Sequence, residues 1–436
     1  MRRFLIVVLV TAAADTALAQ TVPLTLDDAV ARAVKDSPRA AELRAREEAA
    51  RAAVDVTGAA RKPQLSLQAG YTRTNHVDVF GIPLPDGRLR VVYPDIPDNY
   101  RTRVDGTWLL YAGGRTESLM EAARADAAAA ARDVAAIEAD LRFEVTRAYW
   151  SAVTAAESAR AVEQALERTD AHLKDLRVRL EQGLIPPNEV LTAEAQRSRQ
   201  QVQVIEARNA SEMAIAELRR LSRLEPSTRL DLTTPLAPSA APGAENLDAQ
   251  IEKAAGARPE RAALLQRIEA AAARVTAAGA ASRPSIALNG GIDYGRPNTR
   301  IFPRTDRWQD SWDVSVNASW SLWDGGRRAA DVAVAAANER ALRARLEEFD
   351  SLVALEIRQR RLEVEAGVAA AAAAADGVRA AVEARRVLGE RFAAGVATSS
   401  EVLDAQLAVL NAELDRTRAL AAVRIAEARL ARAVGQ

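Results

Sequence analysis

The chain of 436 residues has no cysteine, two histidines and three methionines. No disulfide can brace it and no lipid can be attached through an N-terminal cysteine, so the fold must hold by packing alone. So few thiols and imidazoles leave transition-metal chemistry without a ligand set. His76 and His172 have no partner at metal spacing and read as solvated, and no nucleophile stands beside a base. No catalytic residue, cofactor or metal is expected, and the chain does not read as an enzyme. An excess of one charge is lacking too: 59 Lys and Arg balance 59 Asp and Glu, which argues against a nucleic-acid partner. Long hydrophobic runs are also absent. The run Phe4 to Val10 follows Arg2 and Arg3 and precedes Ala17, Leu18 and Ala19. Residues 1–19 therefore read as a signal peptide cleaved before Gln20, too short to span a bilayer, which takes about 20 apolar residues. The mature chain is expected to be exported without a membrane-spanning helix.

What is present comes twice. "WLLYAGGR" at 108–115 returns as "WSLWDGGR" at 320–327, an offset of 212 residues. At the same offset "EQGLIPPNEVL" (181–191) answers "AAGVATSSEVL" (393–403). Further upstream the offset is 221, pairing Leu26, Pro38 and Pro63 with Leu247, Pro259 and Pro284. The first copy is the longer in this region, within "VFGIPLPDGRLRVVYPDIPD" (79–98), whose prolines and glycines read as a loop. Residues 20–240 are taken as one repeat and 241–436 as the second.

Each repeat opens with a helix-like stretch, Leu26 to Arg61 in the first, and continues into two strands. Between Gly114 and Gly183 there is neither proline nor glycine. A helix over 114–182 would extend roughly 100 Å at about 1.5 Å per residue, far beyond what a compact core uses. Its counterpart is 326–394, and the turns after them, 183–188 and 395–400, are tips leading into final helices. Leu403, Leu407, Leu410 and Leu414 step 4-3-4, a coiled-coil seam. The strands, about 64–75, 100–112, 285–296 and 311–323, alternate. Leu65, Leu67, Ala69 and Tyr71 oppose Gln64, Ser66 and Gln68, and Val314, Val316 and Ala318 oppose Asp313, Ser315 and Asn317. Of 18 aromatics, 12 lie in 64–111 and 285–323, and Trp108, Tyr111, Trp320 and Trp323 sit where strand gives way to helix. A membrane barrel places its aromatic girdle there, with apolar residues toward lipid and polar ones toward a wet lumen. A soluble sandwich would use the apolar face as its core, but four strands make a poor one beside such helices. Four strands cannot close in lipid, so the barrel reading demands oligomers.

Taken together, "LTLDDAVARAVKDSP" (24–38), the doubled octet, the tips "RLEQGLIPPNEVL" and "RFAAGVATSSEVLDAQ" and the closing "LARAVG" resemble TolC-type outer membrane efflux proteins over essentially the whole mature chain. The resemblance implies an α+β membrane protein. It would be a homotrimer with a 12-stranded β-barrel, four strands per chain, continued by an α-helical coiled-coil tunnel through the periplasm. It implies an exit duct in the outer membrane of a Gram-negative bacterium, in contact with outer-membrane lipid. The duct would serve a tripartite efflux pump or type I secretion system, with a periplasmic adaptor (membrane fusion protein) and an inner-membrane pump as partners. By position it assigns adaptor docking to Arg179, Leu180, Gly183 and Leu184 and to Arg391, Phe392, Gly395 and Val396. The family's gate latch uses a Tyr and an Arg where this chain has Phe392 and Ala397, so that latch is not expected here.

Glu401 and Asp404 lie three apart on one helix face. Repeated around an axis they would form acidic rings that gate the periplasmic end and favour cations. Thr398 and Glu401 also have capping-box spacing, which leaves Glu401 between gate and cap. The competing reading of the whole chain is a secreted periplasmic coiled-coil scaffold or adaptor without a membrane barrel.

Overall fold

The computed structural model describes residues 21–238 and 246–435. The leader expected at 1–19 and the boundary expected at 240/241 lie outside the described residues. The chain begins with β1 (Thr21–Leu24), α1 (Leu26–Asp36), α2 (Pro38–Ala59), β2 (Gln64–Arg73), β3 (Phe80–Pro83) and β4 (Leu89–Tyr93). It continues through β5 (Asp98–Tyr111), α3 (Arg115–Glu181), α4 (Pro187–Leu221) and β6 (Arg229–Leu232). Then follow α5 (Leu247–Ala257), α6 (Pro259–Ala280), β7 (Ser285–Arg296), β8 (Gln309–Ser319), α7 (Arg327–Ala393) and α8 (Ser399–Ala433). Helices of 11, 22, 67 and 35 residues recur in that order in both halves.

The stretch expected as one helix from Leu26 to Arg61 is two. Pro38 excludes Ser37 from helical angles, and Ser37 takes φ −68°, ψ 127°. Pro259 does the same to Arg258, at φ −68°, ψ 120°.

Two compact units form. One comprises Leu43–Val134 and Glu260–Phe349 and holds an antiparallel sheet in the order β2-β5-β7-β8. Its register aligns Leu67, Val104, Ile292 and Trp312 across one face, where all four are exposed. No second layer covers that face among the described residues, and β2 and β8 each have one unpaired edge. Strand β8 stops at Ser319, so Trp320 and Trp323, expected within it, follow it. The loop expected at 79–98 carries the hairpin β3–β4. Beside the sheet, Ala122 and Ala125 of α3 pack on Ala270 and Ala273 of α6, small side chains that let the helices approach closely. Arg267 pairs with Asp133 at 2.5 Å at the edge of this contact, and Arg274 pairs with Asp126.

The other unit comprises the described residues before Leu43, with Ala135–Pro259 and those from Asp350 onward. Strands β1 and β6 pair in parallel beside a core of Leu24, Val145, Tyr149, Trp150, Leu218 and Leu221. The buried Tyr149 hydroxyl donates to the Leu24 carbonyl and accepts from the Thr234 N–H, both at 3.0 Å, so this polar group is satisfied. A second cluster, Leu173, Leu176, Val190, Ala193, Phe392, Val402 and Leu403, joins α3, α4, α7 and α8 near the tips. Burying each large apolar side chain there contributes about 1.5–3 kcal/mol.

Candidate functional site

Both tips end their long helices in the same way. Leu184 N–H bonds the Arg179 carbonyl and Gly183 N–H that of Leu180, each at 2.9 Å. Val396 and Gly395 repeat this with Arg391 at 2.9 Å and Phe392 at 3.0 Å. This double bond pattern needs a left-handed residue, supplied by Gly183 at φ 70° and Gly395 at φ 74°. Leu184 and Val396 project into solvent, exposed despite being apolar. Arg391 is exposed, whereas Arg179 and Leu180 are half-buried. Phe392 is buried in the core that binds the hairpins together, so its part is packing rather than an accessible docking surface.

Around Phe392 the tip is cross-braced. The Arg179 guanidinium lies 4.6 Å from its ring centre and bonds Asp175 at 3.3 Å. His172 meets the same ring edge-on, with centroids 5.3 Å apart, and its Nε2 shares a 3.0 Å hydrogen bond with the buried Ser399 hydroxyl. The sequence reading of His172 as solvated is thus corrected. It is half-buried between α3 and α8, and burial pushes its pKa below the ordinary histidine value. His76 is exposed but bonds Asp95 at 2.7 Å.

Glu401 completes the capping box. Thr398 N–H donates to its carboxylate at 2.7 Å, and Glu401 N–H donates to the Thr398 hydroxyl at 3.3 Å. The backbone bond from Thr398 holds the Glu401 carboxyl below the usual carboxylate range. Asp404 is exposed and has no hydrogen bond or ion pair among the described residues.

The doubled octet resolves into two equal junctions. Trp108 Nε1 donates to the Arg61 carbonyl at 2.9 Å, and Trp320 Nε1 to the Ser282 carbonyl at 3.0 Å. Each indole ties the end of a strand to the end of the short helix before it. The glycines turn alike: Gly113 and Gly114 at φ 66° and 88°, Gly325 and Gly326 at φ 68° and 89°. Arg283 donates to the Gly113 carbonyl at 3.0 Å. All four aromatics, Trp108, Tyr111, Trp320 and Trp323, are exposed. The indole bonds have no local signal, because their acceptors are 47 and 38 residues away.

No helix among the described residues is long and apolar enough to cross a membrane. Comparison with known proteins gives concordant matches. Protein CyaE of Bordetella pertussis is 28% identical over 422 residues, 91% of this chain and 83% of that protein. The outer membrane protein VceC of Vibrio cholerae is similar with a TM-score of 0.77 at 20% identity, covering 94% of this chain and 96% of that one. The open-state MtrE outer membrane channel of Neisseria gonorrhoeae gives 0.76 at 20% identity, over 94% and 88%. The fold is that of these outer membrane channels. The family model for outer membrane efflux proteins matches residues 29–222 and 250–436, and the chain belongs to that family.

Proposed function

We propose that three copies assemble into an exit duct. Their four-stranded sheets would close a 12-stranded barrel, and their helices would continue it as a periplasmic tunnel. The observation that carries this reading is a sheet whose apolar face is exposed and whose two outer strands each keep an unpaired edge. Water disfavours the first and lipid forbids the second, so copies joined edge to edge in a membrane satisfy both. The resemblance to the family supports a count of three.

The duplication supports the same closure. Trp150 is buried at 4% exposure, but its equivalent Leu362 stands 59% exposed. Arg283 packs at Gly113, while a Cβ on the equivalent Gly325 would meet nothing within 4 Å. Lys62, the counterpart of Arg283 at the 221 offset, is exposed. Contacts made once within a chain have a second, unused set of surfaces, which a neighbouring copy can fill. The duct conducts passively and does no chemistry of its own. Leu184 and Val396 present apolar tips to a periplasmic adaptor, an inner-membrane pump supplies the energy, and Asp404 lines the narrow end.

The test is the mass of the detergent-extracted protein, corrected for bound detergent, with membrane fractionation. A trimer confined to outer membranes is expected. A monomer soluble without detergent would overturn the barrel and favour the scaffold.

A further inference from the structure

The polar face of the sheet carries a compact cluster of charge that the duct reading does not use. Register places Gln68, Arg103, Asp293 and Ser311 in one cross-strand row, and Ser66, Asp105, Gly291 and Asp313 in the next. Arg103 lies across Gly291, where a Cβ would collide with its guanidinium. That glycine lets one arginine reach three acids. Its Nε donates to Asp105 at 2.5 Å, its Nη1 to Asp293 and to Asp313 at 3.0 Å, and its Nη2 to Asp313 at 3.3 Å. Arg103 has every guanidinium nitrogen engaged and is largely covered.

Two further arginines sit on top. Arg101 Nε donates to Asp293 at 2.6 Å, and Arg300 Nη1 donates to Asp313 at 2.8 Å and to the Trp312 carbonyl at 3.1 Å. Three arginines and three aspartates cancel in number but not in position. Arg101 and Arg300, whose side chains are 62% and 47% exposed, are the outermost members. Asp105 and Asp313 are at 29%, and Arg103 and Asp293 lie beneath. Nη1 and Nη2 of Arg101, and Nε and Nη2 of Arg300, have no protein acceptor among the described residues. Beside Arg101 a cavity of about 300 Å³ is lined by Gln68, Thr72, Asn99, Arg103, Asp293 and Asn298, whose amides and hydroxyl offer further hydrogen bonds. Arg300 is outside this lining, and the one carboxylate in it, Asp293, is already held by Arg101 and Arg103.

We propose that Arg101 and Arg300 form an anion-recognising station on the lumen wall, which sets the preference of the duct for solutes carrying carboxylate, phosphate or sulfate groups. The proposal rests on the duct reading, because the polar face lines a lumen only when the sheets close. A guanidinium offers paired donors that match an oxyanion, and Arg101 and Arg300 each keep two uncommitted nitrogens for it. Low-dielectric walls concentrate the field of such groups, and each copy adds its own pair around the axis. The sign is opposite to that of Glu401 and Asp404, so the two sets are separable by mutation.

The experiment compares full-length wild type, R101Q/R300Q, R101K/R300K and R300Q in planar bilayers. Reversal potentials are read in a KCl gradient near 0.1 M, where the Debye length is about 10 Å. The chloride-to-potassium permeability ratio is expected to fall at least about threefold in R101Q/R300Q. It should fall less in R300Q, which leaves the Arg101–Asp293 pair intact, and stay near wild type in R101K/R300K. The difference should shrink near about 1 M salt, where screening is shorter. Conducting R101Q/R300Q channels with an unchanged ratio would overturn the proposal, as would an equal fall in the lysine variant. Wild-type protein that never conducts would instead overturn the duct reading beneath it.

Discussion

Leu403 is buried at 6% exposure in the tip core, while Leu191, its equivalent 212 residues earlier, stands 63% exposed. One position in the repeat thus has two environments within a single chain. Leu403→Ala is expected to cost the protomer about 2–4 kcal/mol, since it opens a cavity in a packed core. Leu191→Ala should cost the isolated protomer under about 1 kcal/mol. Leu191→Asp should leave the protomer folded but lower the fraction of trimer. Denaturant melts and light scattering in detergent separate the two effects. Equal destabilisation by both alanines would mean that Leu191 is not an interface residue.

The indole bonds of Trp108 and Trp320 make a second prediction. Phenylalanine keeps the ring but deletes the donor to Arg61 or Ser282. Each substitution should cost about 1 kcal/mol, and the double variant about their sum, because the two bonds share no partner. Thermal unfolding of the single and double variants checks this.

Much of this architecture was legible in local pattern. Alternation at Leu65–Tyr71 and Val314–Ala318 marked strands, and Gly183 and Gly395 marked the ends of the long helices. Thr398 and Glu401 showed their capping box by spacing alone. What stayed hidden depends on residues distant in sequence. His172 read as solvated because Ser399 lies 227 residues on. Arg101 and Arg103 carry no signal in the sequence, since their cluster exists only once four strands fix their register across Gly291. Phe392 was assigned to docking by position, and only packing against α3 and α8 places it inside. The hairpin β3–β4 was masked by Pro83, Pro85 and Gly87, which resemble loop composition while two short strands flank the turn.

At the tips, shape and docking should separate. Gly183→Ala or Gly395→Ala should each cost about 1–2 kcal/mol from left-handed backbone alone, because a Cβ at either position meets open space. Leu184→Asp and Val396→Asp should leave the melting curve unchanged yet abolish efflux in cells, with trimer levels normal. Drug susceptibility beside immunoblots reads this. Full efflux in the double aspartate variant would remove these two side chains from the docking surface.

His172 gives the tip a pH dependence whose sign can be worked out. Burial lowers its pKa below the ordinary 6.5, Asp175 pulls it back up, and Arg179 pushes it further down. The folded protein therefore keeps the ring neutral where the unfolded chain has begun to bind a proton. In that window the unfolded state holds more protons, so stability falls as pH falls from about 6.5 toward the lowered folded value. Above 6.5 the group contributes no slope. The contact it strains is specific: Nε2 shares a hydrogen bond with the buried Ser399 hydroxyl, and the ring sits against Phe392 with Arg179 nearby. A charged ring could only donate to Ser399 and would face the Arg179 cation. Melting temperatures of wild type and His172→Gln should therefore diverge between pH about 7 and 5, with the variant flatter, because glutamine keeps a hydrogen-bonding side chain but does not titrate. Parallel curves over that range would show that His172 stays uncharged throughout, or that the pH response of the tip arises elsewhere.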